Sequence, residues 1–289
     1  MPTSLAHRRL VRRPLLTAAT LVLVPLLAAC GSDQEGGRAA EFAPDHVHGL
    51  AEEPGTGRLL VATHDGLFAL GDGDRTPSPV GHSRTDLMGF TVGPDGDFFA
   101  SGHPGPGEEG PAAVGLITSA DAGETWQGVS LAGEADFHAL DAADGSLYGV
   151  DGAVRLLRSA DGGLTWTESS LPEPVADVAV DPTTEALVAT SEAGPLLSTD
   201  GGENFDLLRD APVLVLVDWT QDGGLVGVSP SGQVHTTDDA TGGWSARAGL
   251  EGAVQALTTT ASGAIYVSTH AELLRSDDGG SSFSTVASY

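Results

Sequence analysis

The sequence has one cysteine, no lysine and few aromatic residues, and these absences exclude certain bonds and argue against certain classes of partner. Cys30 is the only cysteine among 289 residues, so no disulfide forms within the chain. Phe, Trp and Tyr make up only 5% of the residues, which argues against a platform that binds proteins through exposed aromatics. All 13 basic residues are arginine, against 40 acidic residues. The net charge of -27 argues against nucleic acid and anionic membrane surfaces as partners.

The first 29 residues have the composition of a secretory signal. Arginines at positions 8, 9, 12 and 13 precede an apolar run from Leu15 to Ala29. The alternative is an uncleaved anchor, but the run is shorter than the roughly 18–20 apolar residues of a spanning helix, and Pro25 interrupts it. Its end, Leu-Ala-Ala followed by Cys30, resembles the lipobox of bacterial lipoproteins. That resemblance implies a signal peptide over 1–29, lipidation of Cys30, export, and attachment to the outer face of the cell membrane or in the periplasm.

Residues 30–44 are small, polar and charged, which is typical of a flexible tether between a lipid and a folded domain. The remaining residues, 45–289, are enough for one large all-β domain, and we expect it to be a monomer.

A repeated motif organises these residues. The segments SADAGETW (119–126), SADGGLTW (159–166), STDGGENF (198–205) and SDDGGSSF (276–283) share Ser, Asp, Gly and an aromatic at fixed offsets, and a looser copy, TTDDATGGW, covers 236–244. Their central aspartates, Asp121, Asp161, Asp200, Asp238 and Asp278, recur every 38–40 residues. Each repeat contains four short apolar segments separated by Gly, Asp and Pro turns. With one earlier unit that lacks the motif, six units begin near residues 47, 87, 137, 175, 215 and 254.

The motif resembles the Asp-box repeat of sialidase-like propellers, and the resemblance covers residues 45–289. It implies an all-β, six-bladed β-propeller in which each Asp box has a structural role in the turn between the third and fourth strands. Chains with the segments HVHGL, THDG, DLMGF and SGHP on such repeats also resemble bacterial lipoproteins labelled glycosyl hydrolase or exo-sialidase. This sequence lacks the Arg-Ile-Pro segment of sialidases, and Tyr148 and Tyr266 are expected to pack within blades.

Six of the nine histidines are expected at one rim of this propeller. The start of each innermost strand and the end of each second strand open on the mouth of the central channel. Alignment of the repeats places His64, His103, Glu192 and His270 at equivalent ends of second strands, and His48, Met88 and His138 at equivalent inner-strand positions. His46 forms an H-x-H pair with His48, and carboxylates at Asp45, Asp86 and Asp136 precede inner strands.

These side chains predict a metal site, since imidazoles with carboxylates suit zinc and a methionine thioether favours copper. The predicted ligands are His46, His48, His64, Met88, His103, His138 and His270. The alternatives are polar binding of a small ligand without metal, and histidines that only satisfy turn carbonyls or line a wet channel. The loop of residues 102–114 is expected to cover the same mouth, as a lid or as an ordinary insertion.

Two other functions stay open at this point. Glycoside hydrolysis by paired carboxylates has Asp86, Asp136 and Glu192 as candidates, and a protein-interaction platform is the third hypothesis. No cofactor other than copper or zinc is indicated.

Overall fold

The computed structural model describes residues 42–143 and 145–289, and these residues form six four-stranded antiparallel sheets arranged as a ring. The predicted six-bladed β-propeller is therefore confirmed. Cys30, the signal peptide over 1–29 and residues 30–41 of the tether lie outside the described residues. Within the described ranges, no helix is long and apolar enough to cross a membrane.

Each blade uses four strands that are consecutive in the chain, and the first strand of each blade is innermost. Blades one to three contain β1 (Val47–Glu52), β2 (Leu59–Thr63), β3 (Gly66–Leu70) and β4 (Ser78–Pro79); β5 (Asp86–Val92), β6 (Phe98–His103), β7 (Leu116–Ser119) and β8 (Gln127–Ser130); and β9 (Phe137–Ala143), β10 (Ser146–Asp151), β11 (Arg155–Ser159) and β12 (Thr167–Ser170). Blades four to six contain β13 (Val175–Val180), β14 (Leu187–Ser191), β15 (Leu196–Ser198) and β16 (Asp206–Leu207); β17 (Leu216–Trp219), β18 (Leu225–Val228), β19 (Gln233–Thr237) and β20 (Ser245–Gly249); and β21 (Val254–Thr259), β22 (Ile265–Thr269), β23 (Glu272–Ser276) and β24 (Ser284–Ser288).

The repeated motif forms a hydrogen-bonded turn between the third and fourth strands. In blade three, Ser159 Oγ donates to Asp161 Oδ1 at 2.8 Å and accepts from the Gly163 amide at 2.9 Å. Asp161 also accepts from the amide and the hydroxyl of Thr165, at 2.9 and 2.6 Å. The same pattern of bonds recurs in the copies at 119–126, 198–205 and 276–283. The aspartates therefore stabilise turns, as expected from the sequence.

The aromatic residue of the motif connects neighbouring blades. Trp166 packs against Phe137 with ring centroids 5.2 Å apart, and its Nε1 donates to Ser130 Oγ of blade two at 3.0 Å. An indole at this position fills the space between two sheets and satisfies its one polar atom.

The fifth copy of the motif uses a different aspartate from the one that the alignment selected. Asp239 accepts from the Thr241 amide at 2.9 Å and from the Thr241 hydroxyl at 2.8 Å, while its carbonyl accepts from the Thr237 hydroxyl. The extra residue in this looser copy moves the capping role from Asp238 to Asp239.

The ring is closed by side-chain packing between the first and last blades. Phe42 is 4% exposed, and its ring lies edge-on to Phe68 of blade one and to Tyr289, at 5.0 Å from each. The Tyr289 hydroxyl reaches Ser268 and the Thr269 carbonyl of blade six, at 2.7 and 2.8 Å. Because all strands of blade six come from the C-terminal repeat, no strand from the N-terminal side completes it. Phe42, predicted to belong to the tether, is part of the folded ring.

Candidate metal centre

In blades one, two and three, a β-bulge places one side chain of the inner strand over the channel. In blade one, Val47 pairs with Thr63 and Gly49 pairs with Ala62, so His48 is the extra residue. Met88 and His138 are the extra residues of blades two and three. A bulge leaves its residue out of the ladder and re-aims it. All three residues line the central cavity, whose volume is ≈ 280 Å³.

The histidines at the ends of the second strands lie beside these positions. His64 follows β2, His103 ends β6 and His270 follows β22. His270 is close enough to His46 for its charge to help lower the pKa of His46, after the larger effects of burial and His64. The structure thus brings the predicted histidines of blades six, one, two and three to one rim. Glu192 is exposed after β14 in blade four.

The tightest group consists of His46, His48 and His64, each of which offers one ring nitrogen within 4.8 Å of the other two. His48 Nε2 lies 3.2 Å from His64 Nδ1. The Asp86 carboxylate adds Oδ2 at 2.8 Å from His64 Nδ1 and Oδ1 at 3.4 Å from His48 Nε2. Ligand atoms about 2.0–2.1 Å from a tetrahedral zinc ion are separated by about 3.3 Å. The separations of His48 Nε2 from His64 Nδ1 and from Asp86 Oδ1 are of this size, and the His46 nitrogen lies within 4.8 Å of the other two, so the group can hold a metal ion.

His48 is in the charge state that a metal ligand requires. Its side chain is 9% exposed. Burial, followed by the neighbouring His64, His46, His138 and His103, lowers the pKa of His48 to about 3. The ring is therefore neutral at physiological pH and has a free nitrogen lone pair. A cation can therefore bind at this nitrogen without first displacing a proton.

A second group of side chains lies at the next blade junction. Asp136 Oδ2 is 3.1 Å from His138 Nε2 and 3.4 Å from His103 Nε2. Asp86 and Asp136, proposed from the sequence as catalytic carboxylates, thus each face two histidines. Their catalytic role, and that of Glu192, stays a prediction.

Glu108 holds the loop of residues 102–114 against the segment that precedes β5. Its carboxylate accepts hydrogen bonds from the amides of Arg84 and Gly105, at 2.7 and 2.9 Å, and from the hydroxyls of Ser83 and Thr85, at 2.9 and 2.8 Å. Burial acts to raise the pKa of Glu108, but these bonds outweigh it and bring the pKa down to about 2. The loop is anchored in place at its centre.

Gly102 lets this loop leave β6 next to the site. Its φ is +143°, and a Cβ atom there would lie 1.9 Å from the Asp86 carbonyl oxygen. Only glycine permits the end of β6 to pack this closely against the backbone of Asp86 in β5.

Three carboxylates deeper in the channel were not singled out from the sequence. Asp141, Asp177 and Asp218 accept hydrogen bonds from the amides of Val180, Val217 and Thr259, each in the following blade, at 2.8, 3.0 and 2.6 Å. Burial raises their pKa values to about 6, 7 and 7. They link blades three to six. An aspartate inside an otherwise apolar inner strand, as in VADVAV, is the signal that could have identified them.

The tyrosines behave as predicted from the sequence. Tyr148 is fully buried and its hydroxyl accepts from Arg158 Nε at 2.8 Å, while the Arg275 guanidinium lies 5.5 Å from the ring centroid of Tyr266. Both tyrosines lie mid-strand within blades, so neither is placed at the mouth.

Comparisons with known proteins give similarity of fold only. No family model matches the chain, and no curated protein matches it. Among solved structures, a GH74 enzyme from Niastella koreensis is 18% identical with a TM-score of 0.63, covering 86% of this chain and 46% of that one. A gluconolactonase from Xanthomonas campestris is 11% identical with a TM-score of 0.64, covering 79% and 84%. The protein YCF48, bound to a D1 peptide, is 17% identical with a TM-score of 0.54, covering 85% and 83%.

The chain thus spans about half the length of the GH74 enzyme. These neighbours have different activities or partners by their names, and at identities of 11–18% they show similarity of fold without defining the chemistry of this chain. The class of protein, a six-bladed propeller, follows from its own six sheets.

Proposed function

We propose that this protein binds one divalent transition metal ion at the mouth of its propeller, through His46, His48 and His64 with Asp86 beside them. The observation that carries the proposal is the convergence of donor atoms, above all the 3.2 Å between His48 Nε2 and His64 Nδ1. Nothing about strand packing requires two imidazoles from different strands to face each other with a carboxylate at 2.8 Å from one of them.

An unsatisfied atom supports the same proposal. Asp86 Oδ1 is buried and has no hydrogen-bond partner. Buried carboxylate oxygens are costly without a donor or a cation. A metal ion bound by His48 and His64 would lie on the side of Asp86 that these histidines face, and would compensate this charge.

Zinc and copper are the ions that we propose. Three imidazoles and a carboxylate suit either ion. The Met88 thioether lines the same cavity and, if it joins the set, favours copper.

The test is isothermal titration of untagged protein with Zn²⁺ and with Cu²⁺, followed by elemental analysis of dialysed samples. His48→Ala is expected to weaken binding by more than about 100-fold, since even outer-shell partners of a metal are worth 10–100-fold. The matched control is His82→Ala. His82 is exposed, and its neighbour Gly81 lies against the backbone of Glu124 in the repeated motif at 119–126, among the turns rather than the predicted ligands. Equal affinity in both variants would refute the proposal.

We also propose that the chain is exported and anchored through lipid on Cys30, which places the metal site outside the cytoplasm. The support is the signal-like sequence before residue 30 and the lone cysteine at its end. Labelling of producing cells with a radioactive fatty acid should mark the wild type and leave Cys30→Ser unmarked. Label retained by the variant would contradict the anchor.

Glycoside hydrolysis is less well supported by the contacts. Asp86 and Asp136 are engaged by histidines, whereas a glycosidase needs two carboxyl groups free to act across a scissile bond. A panel of chromogenic glycosides tests it directly, with Asp136→Asn as the inactive control. The interaction platform predicts exposed aromatic residues. The large exposed hydrophobic residues of the described chain are Val154, Leu164 and Val213, none of them aromatic, so this hypothesis has little support.

A further inference from the structure

A contact between a histidine of one blade and an aspartate of the next occurs at two adjacent blade junctions. In blade two, Asp86 pairs with His103 across the first two strands, and Leu87 pairs with Gly102. In blade one the matching pair is Val47 with Thr63, which makes His64 equivalent to His103. In blade three Phe137 pairs with Asp151, which makes Asp136 equivalent to Asp86. The register of the strands, rather than similarity of sequence, establishes these equivalences.

One contact across the two junctions is equivalent. His64 of blade one reaches Asp86 of blade two at 2.8 Å, and His103 of blade two reaches Asp136 of blade three at 3.4 Å. A bulge histidine joins each group from a different side. His48 comes from the same blade as His64 and lies 3.4 Å from Asp86, whereas His138 comes from the same blade as Asp136 and lies 3.1 Å from it. The residue of blade two that is equivalent to His48 is Met88.

The same atom is left unsatisfied at both junctions. Asp86 Oδ1 and Asp136 Oδ1 are the two buried side-chain atoms without a hydrogen-bond partner in the described chain. Each carboxylate belongs to a side chain that is mostly buried, 16% and 22% exposed. At Asp86 the unsatisfied oxygen is the one that His48 approaches, whereas at Asp136 both histidines lie next to the other oxygen, Oδ2. A cation bound by both oxygens of Asp136 would satisfy Oδ1 there.

The anchored loop fixes the tautomer of His103. Its Nδ1 lies 2.7 Å from the Ala112 carbonyl oxygen, which can only accept, so Nδ1 carries the hydrogen. In a neutral ring Nε2 then holds a lone pair, and this lone pair faces Asp136 Oδ2. A carbonyl that orients a histidine from its far nitrogen is the usual outer-shell partner of a metal ligand.

We propose that the mouth holds a second cation position, formed by His103, Asp136 and His138, beside the one formed by His46, His48, His64 and Asp86. This inference rests on the proposed function and extends it from one bound ion to two. The second position takes a divalent transition metal of the same class, since two imidazoles and a carboxylate leave coordination positions open for water or an anionic ligand.

The experiment is a zinc stoichiometry measured by isothermal titration and by elemental analysis of the untagged protein. Wild type is expected to bind two equivalents of Zn²⁺. His103→Ala should bind one, with the affinity of the remaining site within about threefold of wild type. His64→Ala should lose the first site and retain the second, and His82→Ala should still bind two. His138→Gln serves as an independent variant of the second site if His103→Ala does not fold.

Each outcome has a distinct meaning. One equivalent in wild type, lost in His64→Ala and kept in His103→Ala, would overturn the second position while leaving the proposed function intact. No zinc bound by wild type would overturn both. Two equivalents retained by both second-site variants would place the second ion elsewhere and overturn the inference.

Discussion

Replacement of Phe42 by alanine tests how the ring is closed. The Phe42 side chain is 4% exposed and packs in one cluster with Leu50, Leu273 and the closing residues of blade six. A buried Phe→Ala change costs about 3–5 kcal/mol, because it removes apolar contact and leaves a cavity. The two edge-on contacts, with Phe68 and Tyr289 at 5.0 Å, contribute about 0.5–1.5 kcal/mol each beyond burial and place the expected cost at the upper end of that range.

The assay is urea unfolding of the purified protein at 25 °C, followed by tryptophan fluorescence. Tyr289→Phe keeps the ring and loses only the hydroxyl bonds to Ser268 and Thr269, for which about 1 kcal/mol is expected. Leu164→Ala, at a side chain 67% exposed, should change stability by no more than about 0.5 kcal/mol. If Phe42→Ala costs less than about 1 kcal/mol, the first and last blades are not held by this cluster and the account of ring closure is wrong.

Three further predictions concern the turns and the channel. Gly102→Ala should lower the free energy of unfolding, measured with urea, by about 1–3 kcal/mol or more, because its φ is +143° and a Cβ would meet the Asp86 carbonyl. Gly128→Ala is the control and should be tolerated, because no atom lies within 4 Å of its Cβ position. Ser159→Ala should cost about 1–3 kcal/mol by leaving the Gly163 amide unpaired, while Asp238→Ala should stay within about 0.5 kcal/mol; equal effects would refute the assigned roles. Burial raises the pKa of Asp177 to about 7 from 3.8, so between pH 4 and 7 the native state holds a proton that the unfolded chain has released. Its contribution is lost as pH rises through that window, and Asp177→Asn should flatten the decline in urea midpoint between pH 4 and 7.

The architecture could be predicted from the sequence because the repeat is a local signal. Ser159, Asp161 and Gly163 satisfy one another within a single turn, so the motif carries its own structural reason wherever it occurs. Even spacing of such turns then determines blade number. The fifth copy shows the limit of this reasoning. Its inserted residue is visible in the sequence, but the sequence does not show which of the two adjacent aspartates accepts the turn bonds, and the structure assigns them to Asp239.

The site could be predicted as a set of positions but not as a set of contacts. Strand pairing placed His64 and His103 at one rim, because the ends of second strands share a face. The separation of adjacent blades and the bulges at His48 and His138 determine which carboxylate each imidazole contacts. Neither feature can be predicted from the residues of a single strand.

The residues that were missed owe their roles to distant partners. Asp177 accepts a hydrogen bond from an amide 40 residues away, and Asp141 and Asp218 accept from amides 39 and 41 residues away. Such contacts depend on the closed ring as a whole.

Anomalous diffraction at the zinc absorption edge, from crystals of the untagged protein grown with Zn²⁺, tests the central claim most directly. The account predicts an anomalous peak about 2.0–2.2 Å from His48 Nε2 and from His64 Nδ1. Peaks confined to the aspartate turns or to the outer surface, with the mouth of the propeller empty, would contradict it.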